Sequence, residues 1–141
     1  MTFVGTFEHT IDAKGRLVLP AKFRGHLARS AYLAPQGDCL ALWEPEEYDS
    51  MLGRLQELAR DKQLDSRVLV SLTAASEEVA LDAQGRVLVS DRLRTFASLD
   101  REVVLLGAMN HVEIWDRSTW ERMQPEMDAL MTQALAEGLG V

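Results

Sequence analysis

An internal duplication constrains this chain more than any other feature of its sequence. Asp12-Ala-Lys-Gly-Arg16 returns 70 residues later as Asp82-Ala-Gln-Gly-Arg86, each followed by an aliphatic triplet, Leu17–Leu19 and Val87–Val89. Arg24 and Arg94 keep the same offset. Leu42-Trp43-Glu44 answers to Ile114-Trp115-Asp116 at 72 residues, and Tyr48 and Met51 answer to Trp120 and Met123 at that spacing. Ordered matches over most of each half, with one two-residue slip, mark a repeat. Two copies are too few for a solenoid, and each is too short to bury a large core by itself. The duplication therefore predicts two halves, 1–68 and 69–141, related by a pseudo-twofold axis and packed as one unit. The junction falls within Asp65–Glu78, which holds no Pro or Gly, so the halves are packed together rather than tethered.

Phe3, Phe7 and Ile11 recur on one face of an alternating strand, with Val4, Thr6, Glu8 and Thr10 opposite. Asp12–Gly15 is a turn, because the Asp side chain can accept from the backbone that follows it and Gly15 supplies a positive φ; Asp82 and Gly85 repeat the device. Leu17–Leu19 then predicts a strand returning beside the first, as a hairpin or loop-bridged pair. Pro20 suits the first turn of a helix, where a missing N–H costs little, and Ala21–Ala28 is that helix. Tyr32–Ala34 and Cys39–Trp43 are strands around a turn at Pro35-Gln36-Gly37-Asp38. An amphipathic helix closes each half. The first carries Tyr48, Met51, Leu52, Leu55, Leu58 and Ala59; the second carries Trp120, Met123, Met127, Leu130, Met131 and Ala134, with Asp116 as N-cap. Ser66–Ala75 reads as a further short helix before a strand at Glu78–Leu81, although Val68-Leu69-Val70 fits a strand equally well.

The formal net charge of −7 argues against a nucleic-acid partner until its distribution is followed. From His9 to Arg29, five cations face Asp12 alone, a balance of +4; Asp38–Ser66 carries −5 and the tail from Glu113 carries −4. One basic segment thus stands apart from acidic helices. No stretch approaches the roughly 20 apolar residues of a membrane span, and the N-terminus lacks the pattern of a signal peptide. The single Cys39 can form no intrachain disulfide and reads as a buried strand residue, which suits a cytoplasmic protein. Enzyme readings find little support: His9, His26 and His111 are scattered without metal-ligand spacing, and no phosphate-binding glycine loop is present. No cofactor or small-molecule substrate is expected.

The doubled Asp-x-x-Gly-Arg followed by an aliphatic triplet resembles the signature of SpoVT-AbrB domains. Two copies in a chain of this length are similar to the MraZ family, as are Phe3-Val4-Gly5-Thr6-Phe7, Lys14–Pro20 and Gly107–Trp115. The resemblance implies an α+β fold, a duplicated swapped-hairpin β-barrel whose pseudo-twofold halves each carry peripheral helices. It also implies a ring-forming, nucleoid-associated transcription regulator that binds short G-containing direct repeats in double-stranded DNA, upstream of the division and cell-wall gene cluster. The DNA-facing element of the family carries over to Lys14, Arg16, Lys22 and Arg24, and by repeat symmetry to Arg86.

The residue chemistry agrees with this and leaves a simpler role open. A guanidinium at Arg16 matches the O6 and N7 acceptors of guanine, a bidentate pair worth about 1–3 kcal/mol of discrimination; equally, Arg16 could pair with Asp12 merely to staple the turn. Lys14, Lys22 and Arg24 suit phosphate neutralisation. Asp12, Gly15, Asp82 and Gly85 are expected to shape the turns. The second copy has Gln84 where the first has Lys14, and Ser90 and Asp91 for Pro20 and Ala21, so its contribution to DNA is expected to be weaker. Trp43, Trp115 and Trp120 are expected in the core or a subunit seam. A ring scaffold for protein partners, docked on the acidic helices, is the competing functional reading.

Overall fold

The structure is a computed structural model and describes residues 2–27 and 29–141. Among these, the first half contributes β1 (Thr6–Thr10), β2 (Arg16–Val18), α1 (Ala21–Leu27), β3 (Ala31–Gln36), β4 (Cys39–Trp43) and α2 (Pro45–Arg60). Across the junction runs α3 (Arg67–Ala75), and β5 (Glu77–Val79), β6 (Arg86–Leu88), α4 (Asp91–Phe96), β7 (Glu102–Gly107), β8 (Val112–Asp116) and α5 (Arg117–Ala136) follow. The result is a mixed α+β fold with an antiparallel sheet and, among the described residues, five helices.

Pairing crosses between the halves at every level. The six-stranded sheet runs β1-β7-β8-β4-β3-β5, so the first strand of each half adds to the hairpin of the other. Thr6 lies opposite Leu106 and Thr10 opposite Glu102, while Ala31 lies opposite Val79. At the sheet centre Leu40 pairs Ile114 and Leu42 pairs Val112, an arrangement symmetric about Ala41 and Glu113. The second ladder, β2 with β6, is symmetric about Leu17 and Val87. A pseudo-twofold axis through these two pairs relates the halves.

Alternation along the strands explains the layers. Leu33, Leu40, Leu42, Val103, Leu105, Val112 and Ile114 face inward and meet Leu17, Leu19, Val87 and Val89 of the ribbon, with Phe23 of α1 and Leu93 of α4 closing the sides. Phe3 and Phe7 pack edge-on against Phe23 at 5.4 and 5.3 Å between ring centroids. The opposite sheet face carries Ala34, Ala41 and Trp43 under Tyr48 of α2, and Cys39, Val104, Leu106 and Trp115 under Trp120 of α5. Fully burying one such aliphatic or aromatic side chain stabilises by about 1.5–3 kcal/mol, which holds α1, α2, α4 and the start of α5 on the sheet and ribbon.

Several sequence expectations are corrected. Regular β1 is shorter than Phe3–Ile11; those two end residues form isolated bridges, to Met109 and Leu17. The Leu17 strand does not form a hairpin with β1 beyond that bridge, because its ladder goes to the equivalent strand of the other half. Pro35 lies within β3, opposite Leu40, and the turn is made at Gly37, φ 60°, and Asp38. The Val68–Val70 ambiguity resolves as helix, with Arg67–Ala75 turning before β5. Helix α1 runs to Leu27, and the Ala28 end of the expected helix lies outside the described residues. Asp116 does stand at the N-cap position of α5, and its carboxylate also accepts from the Asp100 N–H at 3.0 Å and the Ser118 hydroxyl at 2.6 Å. Of the apolar stripe on α5, Trp120 and Met123 pack on the sheet, whereas Met127, Leu130, Met131 and Leu135 face solvent.

Candidate nucleic-acid interface

Each Asp-x-x-Gly-Arg turn is built by one aspartate with three acceptor roles. Asp12 Oδ1 accepts the backbone N–H groups of Lys14 and Arg16, both at 2.9 Å, and Oδ2 accepts Arg16 Nε at 2.8 Å. Asp82 repeats this with Gln84 and Arg86, Oδ1 at 2.9 Å from both N–H groups and Oδ2 at 2.7 Å from Arg86 Nε. The backbone N–H of each arginine holds its carboxyl below the ordinary aspartate range; burial opposes this, and the guanidinium adds to it. An ion pair with Asp12 therefore leaves the terminal nitrogens of Arg16 free of that bond. The ion pair uses Nε alone, and among the described residues no group accepts a hydrogen bond from the terminal nitrogens of Arg16 or Arg86.

The turns interlock. Gly15 and Gly85 adopt φ of 82° and 75°, a conformation that costs L-residues but not glycine. Their carbonyls accept from the other half, Val89 N–H to Gly15 at 2.8 Å and Leu19 N–H to Gly85 at 3.0 Å, which lengthens the β2–β6 ladder by one residue at each end. A long arginine from each first helix then covers the opposite turn. The Arg24 side chain lies over Gly85, its Nε 2.5 Å from where a Cβ would be, and donates that Nε to the Leu19 carbonyl at 2.9 Å. The Arg94 guanidinium lies over Gly15, 3.5 Å from the corresponding point, and its end pairs with Asp91. Burial and the nearby Arg24 charge push the His9 imidazole below its ordinary value.

Leu17, Leu19, Val87 and Val89 point into the core, so Arg16, Val18, Arg86 and Leu88 form the outer face of the ribbon. The register sets Arg16 across from Leu88 and Val18 across from Arg86, one arginine at each end on the diagonal. Lys14 is exposed on its turn and Lys22 is exposed on α1, whereas Arg24 is half-buried in the cross-clasp. The structure thus brings Arg16 and Arg86 together on one small surface with Lys14 near its rim. Arg94, Val18 and Leu88 were not among the residues singled out from sequence. The offset that pairs Arg24 with Arg94 was the available signal for the first; for the other two, only the strand pairing reveals the outward direction.

Elsewhere the polar groups serve the fold. Glu113 accepts from His111 at 2.8 Å, Gln36 at 3.0 Å and Trp115 Nε1 at 3.0 Å, while Trp43 stacks on His111 at 4.4 Å. The bond from His111 lowers the Glu113 carboxyl, against its burial. Burial pushes the neighbouring Cys39 thiol well up, away from the reactive thiolate. Among the described residues, no helix is long and apolar enough to cross a membrane.

Comparison with known proteins agrees with the repeat geometry. The profile of a family described as "MraZ protein, putative antitoxin-like" matches the chain twice, at residues 2–71 and 72–140. A protein of Kocuria rhizophila named transcriptional regulator MraZ is 38% identical over 96% of this chain and 95% of its own length. The protein of that name from Nocardia farcinica is 36% identical over 98% of this chain and 97% of its own, and that from a Nocardioides species is 41% identical over 85% and 84%. With both repeat units matched and full-length relatives above 30% identity, the chain belongs to the MraZ family.

Proposed function

We propose that this chain is a transcription regulator that reads double-stranded DNA with the β2–β6 ribbon and its two turns. The observation that carries the reading is the pair of arginines, Arg16 and Arg86, each fixed through Nε by its own aspartate while its terminal nitrogens stay open. That is the end of a guanidinium that bonds guanine O6 and N7 in the major groove, about 12 Å wide and able to admit a two-stranded ribbon. Lys14 and Lys22 would neutralise phosphate, and Arg24 would act by supporting the second turn, with its positive charge nearby. The family relatives named transcriptional regulators support the same class of partner.

The operator would be short G-containing direct repeats, in the promoter of the division and cell-wall cluster that includes the protein's own gene, and the protein would work in the cytoplasm at the nucleoid. One ribbon offers few contacts, so specific affinity would come from a homo-oligomeric ring presenting several ribbons to repeats about 10 bp apart. The exposed stripe Met127, Leu130, Met131 and Leu135 on α5 gives such a ring an apolar seam. The exchange of β1 and β5 between halves supports the swapped-hairpin barrel as the architecture that holds the ribbon.

The test is a mobility-shift titration of the protein against its own upstream region, with and without Arg16→Ala. The expected result is a salt-sensitive shift whose sequence preference disappears in the variant while the oligomer, measured by light scattering, is kept. Loss of the oligomer instead would make Arg16 structural. No shift at low salt would favour a ring scaffold, for which the acidic helices and the α5 stripe would be the docking surface.

A further inference from the structure

We infer that Val18 and Leu88 are specificity residues of the ribbon, making apolar contact with the C5-methyl groups of thymines beside the bases that Arg16 and Arg86 read. The inference rests on the DNA reading proposed above and names a part of it that the arginines cannot supply.

Strands with one face in a core ordinarily turn polar residues to the other face. This ribbon obeys that rule on its inner side, where Leu17 and Val87 are wholly buried, and departs from it outside, where Leu88 is 57% and Val18 36% exposed. A single exposed aliphatic residue is commonplace and calls for no explanation. These two are not scattered: the repeat places them at the same offset of 70 and the register sets them on one face, each directly across from an arginine. Directly opposed residues carry their Cβ atoms about 5 Å apart, so methyl groups and guanidinium ends reach neighbouring points of one surface.

The occupant follows from the charge. A second copy of this face would bring two arginines against two arginines, with Lys14 near the rim, and the like charges oppose that pairing. A solvated patch would not require aliphatics in both copies. The major-groove floor offers the complement: guanine O6 and N7 for the open guanidinium nitrogens, and the thymine methyl as its apolar group. Arginine and aliphatic alternating along each strand and facing each other across the ribbon would then read a guanine with an adjacent thymine twice, once per half.

The experiment begins with selection of binding sequences from a randomised duplex pool by the full-length protein and by a Val18→Ser, Leu88→Ser variant, whose folding is checked by thermal unfolding. The wild type is expected to enrich thymine next to guanine, and the variant to keep guanine but lose the thymine. In the selected wild-type duplex, replacing one contacted thymine by deoxyuridine removes a single methyl and is expected to weaken binding about fourfold, from the transfer free energy of one buried methyl-sized group. The variant is expected to be indifferent to that change. A wild type that binds with steep salt dependence yet tolerates deoxyuridine at every position, or selects sites without thymine, overturns this inference and leaves the DNA reading standing. Failure to retain any duplex at low salt overturns both, and the deoxyuridine arm needs no variant at all.

Discussion

At the scale of the residue, Asp12 and Asp82 do the most with the fewest atoms. One carboxylate closes a turn through two backbone N–H groups and orients a guanidinium through a third bond. Asp12→Asn keeps the turn acceptor but replaces the charged partner of Arg16 Nε. The expected outcome is a loss of about tenfold or more in the ratio of affinities for a selected and a scrambled duplex, with salt dependence kept, checked by fluorescence anisotropy. Both carboxyls also lie below the ordinary aspartate value of 3.8, so the sign of their pH effect is fixed. Their contribution to stability is complete above 3.8 and is lost as the pH falls through the depressed folded values. Carboxyl carbon NMR titration is expected to place both midpoints under 3.8; a midpoint at or above it would contradict the hydrogen-bond geometry.

At the scale of the element, the ribbon depends on glycines covered by arginines from the other half. Gly85→Ala would force a Cβ into the Arg24 side chain at a φ of 75°, and is expected to cost about 1–3 kcal/mol in urea unfolding. Gly53→Ala is the control: Gly53 lies in α2 with nothing near its added Cβ, so the change is expected to stabilise by about 0.5–1 kcal/mol. Arg94→Ala is expected to weaken DNA binding through Lys14 and Arg16, which it does not touch in sequence, because it uncovers the Gly15 turn. The turns and terminal helices were legible in sequence because Asp, Gly and an apolar helical stripe report local conformation. Strand partners were not. Leu17–Leu19 suits a ladder with β1 or with β6 equally well, and only the core it shares with Val87 and Val89 decides. Residue type points Pro35 to a turn, yet β3 takes it in because β5 pairs β3 only as far as Leu33 and leaves the Pro35 position without a neighbour on that side.

At the scale of the whole molecule, a net charge of −7 coexists with a face carrying Arg16, Arg86 and Lys14. The acidic helices pack on the opposite face of the sheet from the ribbon, so on the proposed reading their repulsion of DNA would fall on the distant surface. Binding is expected to weaken with salt at a log–log slope of about −0.9 per phosphate contacted, and a Lys14→Ala, Lys22→Ala variant should flatten that slope with little change in sequence preference. Measured across several salt concentrations, an unchanged slope would remove the two lysines from the interface.

The exchange of strands between the halves has a further consequence during synthesis. β1 leaves the ribosome early, but its partner β7 begins at Glu102. At about 5–20 residues per second, the first strand waits on the order of 5–20 s with its edge unpaired. The β2 strand waits almost as long for β6. A truncated chain would carry these edges permanently, which makes the N-terminal fragment an aggregation hazard and the newborn protein a natural client for chaperones. The duplication that gives the ribbon two arginines therefore makes folding largely post-translational: the first copy cannot be finished before the second exists.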